Sequence, residues 1–277
     1  RTPYASVYTS LGCPFNCAFC CINAPFDSRR YRTREPADVV AEIAHLYTRY
    51  GVRTFKIVDE MFVLKRSHYE AICEGLAGMF FADELNLWAY ARVDTVKPDN
   101  LALLRRAGIR WLALGIESGS ALVRDGSQKS LKDNDIVDVV RAIQAAGINV
   151  IGNYIFGLPD DTRESMQATL DLAQELNCEF GNFYAAQAYP GSQLFRETHP
   201  KDLPGTWSGY SQHSYDSRPL PTATLSSADV LAFRDDAFHA YFEDERYLEM
   251  LDRRFGGDAV AQVKAMTGHR LERELAA

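Results

Sequence analysis

The chain lacks a basic excess. Lys and Arg number 30 against 37 Asp and Glu, a formal net charge of −7 over 277 residues. A protein that grips nucleic acid through a cationic surface needs the opposite balance, so no nucleic-acid partner is expected. No apolar run approaches the length of a membrane span, and there is no signal-peptide pattern. Cysteine is scarce, six in all, and is not spread as a disulfide framework, because three of the six crowd into one loop. That usage suits a reducing compartment, and a cytoplasmic location is expected. Core material is plentiful: hydrophobic residues make up 47%, which suits one large domain or one domain with an appendage. Arg1, not Met, stands directly before a strand-like run, and a fragment of a longer protein is expected.

The crowded loop reads Cys13-Pro-Phe-Asn-Cys17-Ala-Phe-Cys20. Three thiolates at these spacings can close on one metal centre. They leave a tetrahedral metal, or one corner of a cubic iron–sulfur cluster, short of a ligand. An electron-transfer cluster is normally capped by four cysteines, whereas an open position is where a substrate binds and reacts. A structural zinc site wants a fourth Cys or His. Cys21 follows Cys20 directly, and adjacent residues rarely point at one metal. The nearest histidine, His45, falls on an expected helix. A disulfide inside the loop would mostly miss bridge geometry. Cys13, Cys17 and Cys20 are therefore the expected metal ligands, with zinc or inert thiols as the alternatives.

Strand-like and helix-like segments alternate six times. The strands are read over Ala5–Leu11, Thr54–Val58, Asn86–Ala91, Trp111–Ile116, Asn149–Phe156 and Glu179–Ala186. The first helix runs from Pro36 to Tyr50, with Pro36 in the first helical position, Gly51 as its stop and an apolar stripe of Val39, Val40, Ile43, Leu46, Tyr47 and Tyr50. Others are expected over Ser67–Met79, Pro98–Ala107, a segment carrying Ile136, Val139, Val140 and Ile143, and Thr162–Leu176. Repeated β–α units imply a parallel sheet with right-handed crossovers. The fold class is α/β, a partial (β/α)6 barrel, with a doubly wound open sheet as the alternative. In a barrel, active residues collect at the C-terminal strand ends. The cysteine loop, Asp59-Glu60, Arg92, Glu117-Ser118 and the stretch from Asn153 to Gly157 all fall there. Residues 1–198 are read as the barrel and 199–277 as a C-terminal extension. The extension comprises a loop rich in Pro, Gly, Ser and aromatics (Trp207, Tyr210, His213, Tyr215), which covers the substrate pocket or packs outside. Helices follow it, the first capped by Ser226 or Ser227 and carrying Val230, Phe233, Ala237 and Tyr241.

The cysteine spacing, with Phe19 as its aromatic, resembles the radical S-adenosylmethionine superfamily, whose cluster loop reads C-x-x-x-C-x-aromatic-C. The resemblance covers about Ala5 to Phe195. It implies a [4Fe–4S] cluster on Cys13, Cys17 and Cys20, with S-adenosylmethionine chelated to the fourth iron and split by one electron into methionine and a 5′-deoxyadenosyl radical. It places Phe19 against the adenine. Asp59 and Glu60 stand where the family commonly has Gly-Gly-Glu holding the methionine amino group. Arg92 meets the methionine carboxylate or pairs with Asp94. Glu117 and Ser118 contact the ribose or amino group, the flanking glycines allowing close backbone approach, or Glu117 forms a structural ion pair. Asn153 and Tyr154 flank the adenine or belong to an ordinary buried strand.

The runs Gly115-Ile-Glu-Ser-Gly-Ser120, Gly157-Leu-Pro159 and Tyr189-Pro-Gly-Ser192 look like the branch with an upstream cobalamin-binding domain. That branch includes methyltransferases and ring-forming enzymes of tetrapyrrole synthesis. The Asp-x-His-x-x-Gly motif of some cobalamin domains is absent here, so cobalamin, if used, is bound upstream of Arg1. The implied partners are a small-molecule substrate and an external electron donor such as flavodoxin or ferredoxin. Two other classes stay open: an iron–sulfur electron-transfer protein without substrate chemistry, and a metal-stabilised binding scaffold.

Overall fold

The structure, a computed structural model, describes residues 3–131 and 133–276. Its main sheet has six strands: β1 (Tyr4–Val7), β2 (Thr54–Ile57), β3 (Asn86–Arg92), β4 (Ile109–Glu117), β5 (Asn149–Phe156) and β6 (Phe180–Ala185). They lie in chain order. The first three pairings are parallel, with Tyr4 opposite Thr54, Thr54 opposite Asn86 and Leu87 opposite Ile109. A doubly wound sheet reverses its strand order at a switch point. This sheet has no reversal, and the six β–α units are those of a partial (β/α) barrel. No helix among the described residues is long and apolar enough to cross a membrane.

The chain divides into two compact units. One comprises Arg1–Phe15, Ile22–Gly115 and Asn134–Ile151; the other Asn16–Cys21, Ile116–Asp133 and Gly152–Ala277. In the first, α1 (Pro36–Tyr50) starts on Pro36 and stops at Gly51, whose φ of 67° is the left-handed turn glycine adopts freely. Val39, Val40 and Ile43 are buried, but Tyr50 of the expected stripe is 62% exposed, because it sits in the last turn beyond the packed face. Against α1 lies α2 (Arg66–Ala77), close enough that a Cβ on Gly75 would meet Val40 at 2.8 Å. The segment expected as one helix from Pro98 is a single 3₁₀ turn, Pro98–Asn100, leading into α3 (Leu101–Arg106).

The first strand is shorter than expected. It ends at Val7, and Ser10–Leu11 pairs instead with Arg32–Thr33 in a two-stranded antiparallel ribbon. The cause is Asp59. Its carboxylate takes the Thr9 backbone N–H at 2.6 Å and the Thr9 and Ser10 hydroxyls at 2.5 and 2.6 Å, so the chain leaves the sheet there.

In the second unit α4 (Ala121–Gly126), a helix the sequence reading did not separate, follows β4. The next helix, α5 (Asp133–Ala145), crosses the boundary between the two units. Beyond it, α6 (Arg163–Leu176) begins at a capping box, Thr162 accepting from the Ser165 N–H. A short α7 (Gln193–Glu197) and α8 (Ser227–Phe242) come next, the latter capped by Ser226. Its Val230, Phe233, Ala237 and Tyr241 are buried as the spacing predicts. Two helices, α9 (Glu245–Phe255) and α10 (Gly257–Thr267), close the extension.

Candidate functional site

In the first unit the cysteine loop begins at Gly12. Its φ of 86° and its closeness to the Arg30 carbonyl, where a Cβ would sit 2.5 Å away, admit only glycine. The Gly12 N–H donates to Glu60 at 3.1 Å, so the loop's first turn is fastened to one of the two predicted carboxylates. Cys13 is half-buried, and Asn23 holds its backbone at both N–H and C=O, at 3.1 and 2.7 Å. Asp59 is wholly buried and spent on Thr9 and Ser10, leaving Glu60, half-buried, as the accessible carboxylate of the pair. Burial holds the nearby Tyr31 hydroxyl up at about 12. It stays protonated and donates to the Met61 carbonyl at 3.1 Å. Arg92 is buried, pairs with Asp94 through two hydrogen bonds of 2.9 and 3.1 Å, and stacks 3.9 Å from the centre of the Phe15 ring. The pairing with Asp94 that the sequence left open is therefore present.

In the second unit the rest of the loop, Asn16–Cys21, is pinned to the chain after Glu117. The Ala18 N–H donates to the Ser127 carbonyl at 3.1 Å, Asn16 donates to the Gln128 side chain at 2.8 Å, and Leu194 N–H donates to the Ala18 carbonyl at 3.0 Å. Phe19 packs against Val123, Leu158 and Ala186 on one side and Ala188, Leu194 and Leu220 on the other. Within the loop the Cys20 N–H donates to the Cys17 carbonyl at 3.0 Å; Cys17 is half-buried and Cys20 exposed.

Glu117 ends β4 at φ 66°, a left-handed conformation for a residue that carries a Cβ. It is 7% exposed and forms an ion pair with the equally buried Lys129, whose ammonium lies 6.0 Å from the Phe19 ring centre. Sequence reading missed Lys129. It lies twelve residues after the strand end, between Arg124 and Lys132, and nothing in the sequence sets it apart from those two cations. Ser118 is wholly buried, its hydroxyl shared with Thr169 at 3.1 Å and its carbonyl taken by Arg124 at 2.6 Å. Gly119 serves the fold: a Cβ there would meet the Ala168 carbonyl of α6 at 2.4 Å. The close approach expected toward a ligand is made toward a helix backbone instead.

The fifth-strand residues part company. Asn153 is half-buried and accepts from Asn182 at 2.9 Å. Tyr154 is wholly buried, stacked 5.3 Å from Phe183, its hydroxyl 3.9 Å from the Cys178 sulfur, and burial holds that hydroxyl well above its ordinary value. The turn after β5 is organised by Asp161, which accepts the Gly157 and Leu158 N–H groups at 3.0 Å and the Ser165 hydroxyl at 2.5 Å. In the aromatic loop Gln212 donates to and accepts from the Ala185 backbone, both at 2.9 Å, as a neighbouring strand would. Tyr210 lies 6.2 Å from Tyr189, while Trp207 is 81% exposed.

Among the described residues no three His, Cys, Asp or Glu side chains converge to hold a single metal ion. A cubic cluster makes no such demand, because each thiolate serves a different iron. Three soft thiols on one eight-residue loop are the donor type that iron–sulfur clusters take.

The family model of the Radical SAM superfamily matches residues 7–173. An uncharacterized methyltransferase of Pyrococcus horikoshii is 30% identical over 198 residues, 70% of this chain and 41% of that protein. The anaerobic magnesium-protoporphyrin IX monomethyl ester cyclase of Cereibacter sphaeroides is 30% identical over 188 residues, 67% of this chain and 30% of that protein. The radical S-adenosylmethionine methyltransferase TsrM from Kitasatospora setae, solved with cobalamin and a [4Fe–4S] cluster, matches with a TM-score of 0.65 at 20% identity, over 83% of this chain and 43% of that one. The chain thus spans less than half the length of each of these three proteins.

Proposed function

The chain belongs to the radical S-adenosylmethionine superfamily, and from that premise we propose that it is the cluster-bearing part of an enzyme that methylates or cyclises an organic small molecule. In this reading Cys13, Cys17 and Cys20 hold a [4Fe–4S] cluster, S-adenosylmethionine binds beside it, and a further segment of the longer protein holds cobalamin. When bound, the cluster supplies the electron that cleaves the sulfonium. The observation that carries the reading is the fastening of Asn16–Cys21 to the turn after Glu117, which builds Phe19, Glu117 and Lys129 into one structure with part of the cysteine loop.

The chain's own residues then bind and orient the cofactor. S-adenosylmethionine carries an ammonium, a carboxylate and a ribose diol. In the first unit Glu60 is the carboxylate for the ammonium and Arg92 the cation for the carboxylate; in the second, Glu117 is the carboxylate for the ribose diol or the ammonium, with Lys129 beside it. The Glu117–Lys129 pair keeps both charges neutralised in a buried place until the ligand brings its own counter-charges. The barrel is assigned to residues 1–198 and the extension to 199–277. An external one-electron donor such as flavodoxin or ferredoxin completes the system.

Anaerobic reconstitution with iron and sulfide tests the reading. The chain should take up a cluster whose spectrum changes on adding S-adenosylmethionine, and dithionite should then release 5′-deoxyadenosine. Changing Cys13, Cys17 or Cys20 to Ala should remove both properties, whereas Cys21→Ser should keep them. Glu117→Gln should retain the cluster yet weaken S-adenosylmethionine binding by about 1.5–3 kcal/mol, the worth of a charge-assisted hydrogen bond. If Cys21→Ser lost the cluster as completely as Cys13→Ala, a four-thiolate carrier would replace the enzyme.

A further inference from the structure

The strands of the first unit bury one face fully and the other in part. On β2 and β3, Phe55, Ile57, Leu87 and Ala89 are wholly buried. The alternate residues Lys56, Trp88 and Tyr90 are half-buried, as is Trp111 on β4. The pairing sets Ser6, Lys56, Trp88 and Trp111 in one row across β1 to β4. This row depends on a bulge. The register slips between Leu87 and Trp88, with Arg110 as the extra residue, and that slip brings Trp111 opposite Trp88. Bulges commonly re-aim a side chain in this way beside a working site.

Two polar groups in the row are left without the partners their chemistry wants. The Lys56 ammonium lies 4.3 Å from the Trp88 ring centre and 5.6 Å from that of Tyr90, and it forms no ion pair with any described carboxylate, in a chain where acids outnumber bases. The Trp88 indole N–H is buried with no acceptor. An unmade hydrogen bond of this kind is costly to keep. A cation and an N–H donor together call for an anion. Two aromatic rings beside the cation, with Trp111 opposite Trp88 in the pairing, call for a flat unsaturated body.

We propose that this face binds a planar, unsaturated carboxylate, its carboxylate on Lys56 and its ring system against Trp88, Tyr90 and Trp111. A carboxylate suits a single ammonium with one N–H donor better than a phosphate does, since phosphate sites gather guanidinium forks or helix N-termini. Tyr90 and Arg92 follow Trp88 on the same side of β3, each about 7 Å further on, so the face leads to the strand end where Arg92 stands. Naming the ligand as the substrate rests on the function proposed above; the binding itself does not.

Calorimetry on the folded, iron-free chain tests the site with 2-naphthoate as the probe, and with 2-naphthylmethylammonium and cyclohexanecarboxylate as controls. Naphthoate should bind and both controls should bind far more weakly. Lys56→Met should weaken naphthoate by roughly ten- to a hundredfold, Lys56→Arg, which keeps the charge, should weaken it less than Lys56→Met, and Trp88→Phe, which keeps a ring but drops the N–H, should fall between the parent and Lys56→Met. Circular dichroism confirms that each variant is folded. No naphthoate binding to the parent, equal binding to Lys56→Met, or equal binding of the cationic control would overturn the proposal. Reductive S-adenosylmethionine cleavage, read separately on the reconstituted chain, should be unchanged in Lys56→Met. Its absence from the parent would sink the enzyme reading while leaving a Lys56-dependent naphthoate site in place.

Discussion

Glu117 is held in the left-handed region, which costs a non-glycine residue on the order of 1–3 kcal/mol, and its carboxylate is buried against Lys129. Neither feature is what packing alone would select. Removing one member of such a pair is worse than removing both, because it leaves a charge buried without its counter-charge. Lys129→Met should therefore destabilise the iron-free chain to urea by about 3–5 kcal/mol, and adding Glu117→Gln should restore most of that loss. A double variant no more stable than the single one would show that the two groups are not coupled. The sequence announced Glu117 through its setting, a carboxylate between glycines at a strand end. It could not announce Lys129, because the loop that returns the lysine to the strand end has no periodicity to read. Asp59 shows the converse. Its position was legible, but its neighbours Thr9 and Ser10 lie about fifty residues away, and only the folded chain reveals that they have taken its oxygens.

The turn between β5 and α6 carries the clearest pH dependence. Asp161 is 2% exposed, and burial raises its carboxyl from 3.8 to about 6, although the Ser165 hydroxyl and the Gly157 and Leu158 N–H groups pull the other way. A carboxyl raised on folding binds its proton more tightly in the native state. It contributes stability that is fully present below its unfolded value and lost as pH rises through about 6. Between pH 4 and pH 7 the iron-free parent should lose stability relative to Asp161→Asn, by on the order of 3 kcal/mol. Denaturant titrations at a series of pH values measure it, and a parent that gained on the variant across that window would refute the assignment. Elements of this kind were read with uneven success. α1 and β5 lay open in the sequence because a Pro–Gly frame bounds the one and β-branched and aromatic residues crowd the other. The break after Val7 and the short α4 were not legible, since each is decided by a tertiary bond or a single turn.

Alternation in the sequence fits both a partial barrel and a doubly wound sheet; the order of the six strands, which repeats the order of the chain, separates them. Alternation says nothing of what the relatives' additional length does. The chain spans 41% of its Pyrococcus horikoshii relative and 30% of the Cereibacter sphaeroides cyclase, and the Asp-x-His-x-x-Gly run is missing from its 277 residues. The function proposed above gives any cobalamin to another segment, and cluster assembly and cofactor cleavage to this one. The two activities should then separate physically. The chain alone, reconstituted and reduced, should yield 5′-deoxyadenosine but retain no stoichiometric hydroxocobalamin after gel filtration. A protein that joins it to a cobalamin-binding segment should retain one cobalamin per chain and show the visible spectrum of the bound corrinoid. Cobalamin held by these 277 residues alone would place the corrinoid within the barrel or its extension. A longer protein that cleaves S-adenosylmethionine and turns over its substrate without any corrinoid would leave radical cyclisation or rearrangement as the chemistry.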